Sequence, residues 1–220
     1  MIDINIEALK TLVRDSTEET MDAWHSNYIK VPFDFNPKDF LAFAKCDLSC
    51  EYSHSLINAL SNIKRAIDCQ LDSLLYGFGL LQISRAKRWD FPYKSKVLTK
   101  IGVISPRILR KINQKRNLLE HEYTKPEAGQ VEDAFDVANL FILYTDKFIS
   151  NALLECDLFD KDRNDLSAKL LYEQNKIILS CREWENKGDV THKVLKEVNA
   201  SSEEYLDYLS WFISLYTLRG

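Results

Sequence analysis

Glycine and proline are scarce in this chain of 220 residues, which contains six glycines and five prolines. Because these two residues interrupt helices and form most tight turns, their scarcity favours long helices over many short strands. The five cysteines are odd in number and include no Cys-x-x-Cys pair; they stand at 46, 50, 69, 156 and 181. This pattern disfavours a disulfide framework and predicts reduced thiols in the core.

Long apolar runs are also missing, since none approaches the roughly 18 residues that a membrane span requires. The N-terminus, Met1-Ile2-Asp3-Ile4-Asn5, has neither the basic flank nor the apolar stretch of a signal peptide. Cys46, Cys50 and His54 recur every four residues, but a fourth ligand is not evident, so core thiols explain these cysteines better than a metal site. We expect a soluble cytoplasmic protein that binds no metal and no cofactor.

Charge is divided unevenly along the chain. Residues 85–116 contain eleven lysines and arginines and one acidic residue, Asp90, which gives 11 − 1 = +10. Because the whole chain carries −4, the other residues sum to −4 − 10 = −14. Such segregation predicts a polyanion-binding surface, although a solvated helix face can have the same composition. The residues expected to contact RNA are Arg107, Arg110, Lys111 and Lys115.

Apolar residues at three- and four-residue intervals predict helices through most of the chain. The predicted helices cover 6–28, a short helix from 37, 49–84, 94–101, a helix from 106 that ends between 121 and 124, 131–154, and a last helix opened by a capping box at 201–204. Residues 170–172 and 177–179 predict a hairpin, and 190–198 fit either a strand or a helix.

These elements predict a mainly α fold built in three parts. Residues 1–36 would form an N-terminal helix and linker, and residues 37–157 a helical bundle. Residues 158–220 would form a small α+β appendage, made of the hairpin and the last helix. Gly77 and Gly79 would kink the longest helix or let another backbone approach it.

The basic segment ends in Arg116-Asn117, and three residues later follows His121-Glu122-Tyr123. On an ideal helix Asn117 and His121 share one face, and Arg116 and Tyr123 share the adjacent one. An imidazole with a pKa of about 6.5 can take the proton of a ribose 2′-hydroxyl, and a guanidinium can stabilise charge that develops on phosphorus. Neither step needs a metal, so this constellation predicts RNA cleavage.

The order of Arg, a polar residue, a few further residues and His resembles the signature of the HEPN superfamily. The tyrosine two residues after the histidine resembles that of HEPN toxins whose antitoxins are minimal nucleotidyltransferases. The resemblance covers the motif and the helices from Phe40 to Leu154. It implies a dimeric helical bundle that acts as a metal-independent endoribonuclease, a toxin or defence effector. By the same resemblance Arg116 and His121 are catalytic, Asn117 is a polar helper, and Tyr123 is the candidate target of adenylylation by an antitoxin.

Two functions therefore stand side by side. The first is a HEPN-type endoribonuclease that cuts single-stranded or loop RNA at a dimer interface. The second is a non-catalytic bundle of the same fold that binds RNA or a partner protein through its basic surface. Trp89, Phe91 and Tyr93 alternate in the basic segment, where they could stack on unpaired bases or anchor the loop onto the body.

Overall fold

The computed structural model describes residues 4–14, 21–52, 54–116, 126–159, 165–184 and 190–216. Within these ranges the helices, in chain order, are α1 (Ile6–Arg14), α2 (Pro37–Leu48), α3 (Ser55–Gly77), α4 (Leu81–Ala86), α5 (Phe91–Lys100), α6 (Pro106–Arg116), α7 (Ala128–Thr145), α8 (Lys147–Ser150) and α9 (Tyr205–Ser214). The strands are β1 (Met21–Asn27), β2 (Ala152–Phe159), β3 (Asp165–Leu171), β4 (Lys176–Trp184) and β5 (Val190–Asn199).

The five strands form one antiparallel sheet in the order β1-β2-β3-β4-β5. β1 comes from the N-terminal region and pairs along β2, with Trp24 opposite Cys156. The prediction of a mainly α bundle with a small C-terminal appendage is therefore wrong, because the sheet joins distant parts of the chain and forms a layer of its own. The hairpin predicted at 170–179 is confirmed as β3 and β4, and the ambiguous residues 190–198 are a strand.

Two predicted helices are wrong over part of their length. The one predicted over 6–28 is helical over Ile6–Arg14, but Met21–Asn27 forms the strand β1. The one predicted over 131–154 begins earlier, at Ala128, continues through α8, and gives way to β2 at Ala152. Apolar residues of a strand that is buried in a sheet cannot be distinguished by spacing alone from a buried helical turn, and this explains the second error.

Side-chain caps determine where α2 and α5 begin. The Asn36 side chain accepts hydrogen bonds from the backbone N–H groups of Lys38 and Asp39, and Asp39 accepts one in return from the Asn36 N–H. This capping box confirms the start predicted at Asn36-Pro37. By contrast, the capping box predicted at 201–204 is wrong, since α9 begins after Glu204 without a side-chain cap, and the Ser202 hydroxyl donates to the Asn199 carbonyl.

The long predicted helix over 49–84 is divided by its glycines. α3 ends at Gly77, and Gly79 has a left-handed φ of +67° before α4 begins. A Cβ on Gly79 would lie 3.0 Å from the Asn175 Cα in the turn between β3 and β4. Of the two alternatives predicted for these glycines, the approach of another backbone is confirmed at Gly79, and the helix ends at Gly77 instead of continuing with a kink.

A single hydrophobic core joins the helices to the sheet. α3 packs against α2 and α7, while α9 contacts α1, α5, β4 and β5. Three hydrogen bonds from α9 fix it in place: Tyr205 donates to the Phe78 carbonyl, Tyr208 to Ile4 and Trp211 to Leu9. The boundary predicted between residues 157 and 158 lies inside β2, and that between 36 and 37 lies at the cap of α2.

Candidate nucleic-acid interface

α5 and α6 carry most of the basic segment side by side. The Asp90 carboxylate caps α5 by accepting from the Tyr93 backbone N–H at 2.9 Å. α5 ends at Lys100, near the stop that we predicted, and Gly102 follows with a left-handed φ of +82°. α6 then begins at Pro106 as predicted and contacts α5, α3 and α7. Packing contacts thus hold the two helices side by side, and they need no ion pair with each other.

Two lysines of α5 are engaged in ion pairs. Lys94 Nζ lies 2.6 Å from Asp72 of α3, and both side chains are largely shielded from water, with exposed fractions of 18% and 29%. Lys100 Nζ lies 2.9 Å from Asp207 of α9 in a more exposed pair. These cations connect α5 to its neighbours, so we assign them a structural part.

Four cations of the same two helices are exposed: Lys96 on α5, and Arg107, Arg110 and Lys111 on α6. None of the four forms an ion pair with any residue that the structure describes. Three of these positions are among the residues predicted to contact RNA. An exposed cation without a local counter-charge is free to pair with a phosphate.

Charge changes sign at the next helix. α6 packs against α7, on which Glu132, Asp133 and Asp136 are exposed. Carboxylates repel a phosphate backbone, so a polyanion on α6 would be directed toward α5 and away from α7. A helix with exposed carboxylates thus packs against the helix that carries three of the exposed cations.

A groove of about 390 Å³ runs between α5 and α6. It is lined by Phe91, Pro92, Ser95, Lys96 and Thr99 of α5 and by Arg110 and Asn113 of α6. Phe91 is buried and forms an apolar wall, whereas Lys96 and Arg110 supply one cation from each helix. The Ser95 hydroxyl is shielded from water and has no hydrogen-bond partner among the described residues.

Sequence reasoning missed this groove. Its signal is present in α5, where Pro92, Ser95, Lys96 and Thr99 follow one another at three- and four-residue spacing and so share a helix face. Apart from Pro92 that face is polar, although it borders the buried Phe91. A polar stripe beside a core residue is typical of a helix edge that lines a cleft. The other wall of the groove is formed by α6, and its position depends on tertiary packing.

The three aromatic residues of this segment have different surroundings. Phe91 is buried, and so anchors the segment to the core. Trp89 and Tyr93 form an aromatic pair with ring centroids 4.6 Å apart. Tyr93 is 47% exposed, which leaves part of its ring open to solvent. Anchoring onto the body, one of the two alternatives that the sequence left open, is confirmed for Phe91, and base stacking stays a prediction.

The predicted catalytic motif lies at the edge of the described structure. Arg116 is the last residue of α6. Its side chain and that of Lys115 lie outside the description, as do Asn117, His121 and Tyr123. The predicted helix end between 121 and 124 also falls there. α6 therefore joins three of the exposed cations, Arg107, Arg110 and Lys111, to the first residue of the motif, Arg116.

The cysteines are free thiols, as predicted, but they are not all in the core. Cys156 is buried while Cys46 is exposed. Burial raises the pKa of the Cys156 thiol to about 12 and that of the Cys69 thiol to about 11. Cys46 lies within α2 and His54 at the N-terminal end of α3, so they do not share a helix. Within the described ranges, no group of three or more metal-ligating side chains comes together.

No protein-family model matches the chain, and no curated protein or solved structure matches it either. Among its described helices, none is both long enough and apolar enough to cross a membrane. The chain's own residues therefore provide the grounds for a functional assignment.

Proposed function

We propose that this protein is a metal-independent endoribonuclease that binds RNA on α5 and α6 and cuts it at the motif that begins with Arg116. The observation that supports this proposal is the set of exposed cations on the two helices, Lys96, Arg107, Arg110 and Lys111, none paired with a described carboxylate. Three of them, Arg107, Arg110 and Lys111, lie on α6, the helix that reaches Arg116. Substrate binding and chemistry would thus occupy one continuous stretch of chain.

The chemical roles are those expected from the side chains. His121 would take the proton of the ribose 2′-hydroxyl, and Arg116 would stabilise the charge that develops on the phosphate oxygens. Asn117 would help to position the phosphate. The 2′-oxygen then attacks the adjacent phosphorus and the 5′-oxygen leaves with a proton, which gives a cyclic phosphate and a 5′-hydroxyl end. RNA is required, because DNA has no 2′-hydroxyl to attack.

The proposed partners are RNA and a second copy of the chain. One short helix edge offers few groups with which to enclose a phosphate, so two motifs that meet in a homodimer would complete the site. Tyr123 is a candidate for adenylylation by an antitoxin nucleotidyltransferase, which would switch off a toxin. We place the protein in the cytoplasm, a reducing compartment that suits five free cysteines.

RNA cleavage in EDTA tests this proposal. Wild-type protein should cut a single-stranded RNA and leave cyclic phosphate or 3′-phosphate ends. His121→Ala should slow cutting by about 10²–10⁴-fold, the usual contribution of general acid–base catalysis. Arg116→Lys should also be severely impaired, since an ammonium retains the charge but loses the planar two-point contact with phosphate. A dependence on added Mg²⁺, or equal rates for wild type and His121→Ala, would refute the catalytic assignment.

The second candidate is a protein that binds RNA or a partner without cutting. The exposed cations favour it equally, because they lie on the described face of α5 and α6 and do not involve His121. Growth inhibition on expression separates the two candidates. Inhibition that His121→Ala relieves supports the nuclease, whereas inhibition that persists in this variant and disappears in Arg110→Gln supports binding alone.

A further inference from the structure

We propose that the groove between α5 and α6 is a subsite for one unpaired nucleotide, with the base against Phe91 and Pro92 and the flanking phosphates on Lys96 and Arg110. This inference rests on the proposed RNA function. It adds the form of RNA that is recognised, a single strand, and the residues that recognise it. These residues precede the motif in the chain, so the subsite is separate from the proposed catalytic groups.

The size and lining of the groove fit a base. Its volume of about 390 Å³ lies at the lower end of the range of roughly 300–1,000 Å³ that is typical of small-molecule sites. Phe91 and Pro92 supply apolar surface on one side. A base that is paired in a duplex shows only its edges in the grooves, whereas an unpaired base can leave the strand and enter a pocket.

The charges of the groove fit a phosphate on either side of that base. Lys96 comes from α5 and Arg110 from α6, and both are exposed. The nearby Lys94 and Lys100 are already paired with Asp72 and Asp207. The two cations that line the groove are among the four with no described carboxylate partner, which gives the groove charge complementarity to a strand that crosses it.

The polar lining provides hydrogen bonds for the edge of the base. The Asn113 amide offers both a donor and an acceptor, and Thr99 offers a hydroxyl. The Ser95 hydroxyl has no partner among the described residues, and a buried hydroxyl without one is unfavourable. Ser95 lines the groove, so a ligand bound there could satisfy this hydroxyl.

Next to the groove, Trp89 and Tyr93 offer a surface on which a second base could stack. Tyr93 precedes Lys96 by three residues on α5, so the two side chains are neighbours on the helix. The ring of Tyr93 is partly open to solvent and contacts Trp89, which packs against the core. A stacking surface and a pocket linked by a cation form a short track for a single strand.

A groove-filling substitution tests the subsite. All proteins would carry His121→Ala so that RNA stays intact. The probe is a fluorescein-labelled oligouridylate of about 12 nucleotides, a length within the usual site sizes of single-strand binders. Fluorescence anisotropy measures the affinity of each protein for the single-stranded probe and for the duplex that the probe forms with oligoadenylate. Thr99→Leu fills the groove without changing charge. Gln114→Leu, on the exposed face of α6 and outside the groove, is the matched control.

We expect Thr99→Leu to weaken single-strand binding by about tenfold or more, as loss of a stacked base does, and to leave duplex binding nearly unchanged. Gln114→Leu should alter neither affinity. Asn113→Ala should also weaken single-strand binding selectively, and it keeps the groove open. Circular dichroism of each variant confirms the fold.

Two results would overturn the subsite while leaving the RNA proposal intact. One is unchanged single-strand affinity in both Thr99→Leu and Asn113→Ala. The other is an equal loss of affinity for the single strand and the duplex in those variants. If the His121→Ala parent binds neither RNA, the proposed function fails as well, so the two failures are distinguishable.

Discussion

At the scale of single residues, the thiols show how burial determines reactivity. Cys156 lies in the sheet, fully buried opposite Ala168, and Cys46 is exposed on α2. Alkylation requires the thiolate, and burial raises the pKa of Cys156 to about 12. The folded chain therefore retains this proton at a pH where the unfolded chain, with an ordinary value of 9.0, loses it. The contribution of this thiol to the free energy of unfolding is therefore fully present below pH 9.0 and is lost as the pH rises toward about 12.

We predict that iodoacetamide at a pH of about 8 modifies Cys46 of the native protein and spares Cys156. Mass spectrometry of tryptic peptides measures the extent of labelling at each position. Protein unfolded in urea is the control, and there all five cysteines should react. Native labelling of Cys156 as fast as that of Cys46 would show that the sheet does not enclose this thiol.

At the scale of elements, the turn at Gly79 connects the helices to the sheet. An added Cβ there would lie 3.0 Å from the Asn175 Cα and 3.1 Å from the Tyr205 hydroxyl oxygen. The same hydroxyl donates to the Phe78 carbonyl at 2.8 Å. The end of α3, the turn between β3 and β4, and α9 therefore meet at one residue that has no side chain.

Gly79→Ala should destabilise the protein by about 1–3 kcal/mol, because alanine is strained at positive φ and its methyl group would displace backbone atoms. Gly129→Ala is the matched control, since Gly129 lies in α7 with no atom near its Cβ position. There the substitution should stabilise by about 0.5 kcal/mol through helix propensity. Urea unfolding measures both variants, and a Gly79→Ala midpoint equal to that of wild type would contradict this description of the turn.

The basic face of α6 gives a second test at this scale. Arg110→Gln should weaken RNA binding and reduce the slope of log affinity against log salt by about 0.7, the effect of one lost phosphate contact on a single strand. Arg65→Gln, an exposed arginine of α3, is the control and should leave the slope unchanged. Equal slopes for Arg110→Gln and wild type would mean that this arginine contacts no phosphate.

The elements that sequence predicts correctly are those with local causes. The start of α2 follows from Asn36-Pro37, and the end of α5 lies close to Gly102, because caps and glycine turns are determined by nearby residues. β1 was missed because Met21–Asn27 has little apolar alternation, and its partner β2 lies more than a hundred residues away. The exposed cations of α6 could be predicted from composition. The groove could not, since it depends on how α5 and α6 pack.

At the scale of the whole molecule, the proposed site requires two copies of the chain. The described part of α6 reaches Arg116, the first residue of the motif, and a single copy of this motif offers few groups around a phosphate. We predict a dimer at micromolar concentration, measured by sedimentation velocity, with RNA left out so that binding does not drive association. A strict monomer under these conditions would contradict a composite site between two motifs.

The helices, including α9, and the sheet share one hydrophobic core. Substitutions in the exposed cations or in the motif should therefore change binding or chemistry and leave the fold intact. Arg110 is exposed, and His121 is the residue that we propose for proton transfer. Loss of Arg110 should therefore weaken binding alone, and loss of His121 should affect chemistry alone.

Single-turnover cleavage of RNA in EDTA, with protein in excess and varied in concentration, tests this division most directly. Arg110→Gln should reach the same maximal cleavage rate as wild type, but the protein concentration that gives half of this rate should be higher. His121→Ala should require the wild-type protein concentration and reach a maximal rate lower by about 10²–10⁴-fold. A His121→Ala maximal rate equal to that of wild type, or a wild-type protein that leaves the RNA intact, would contradict the proposed function.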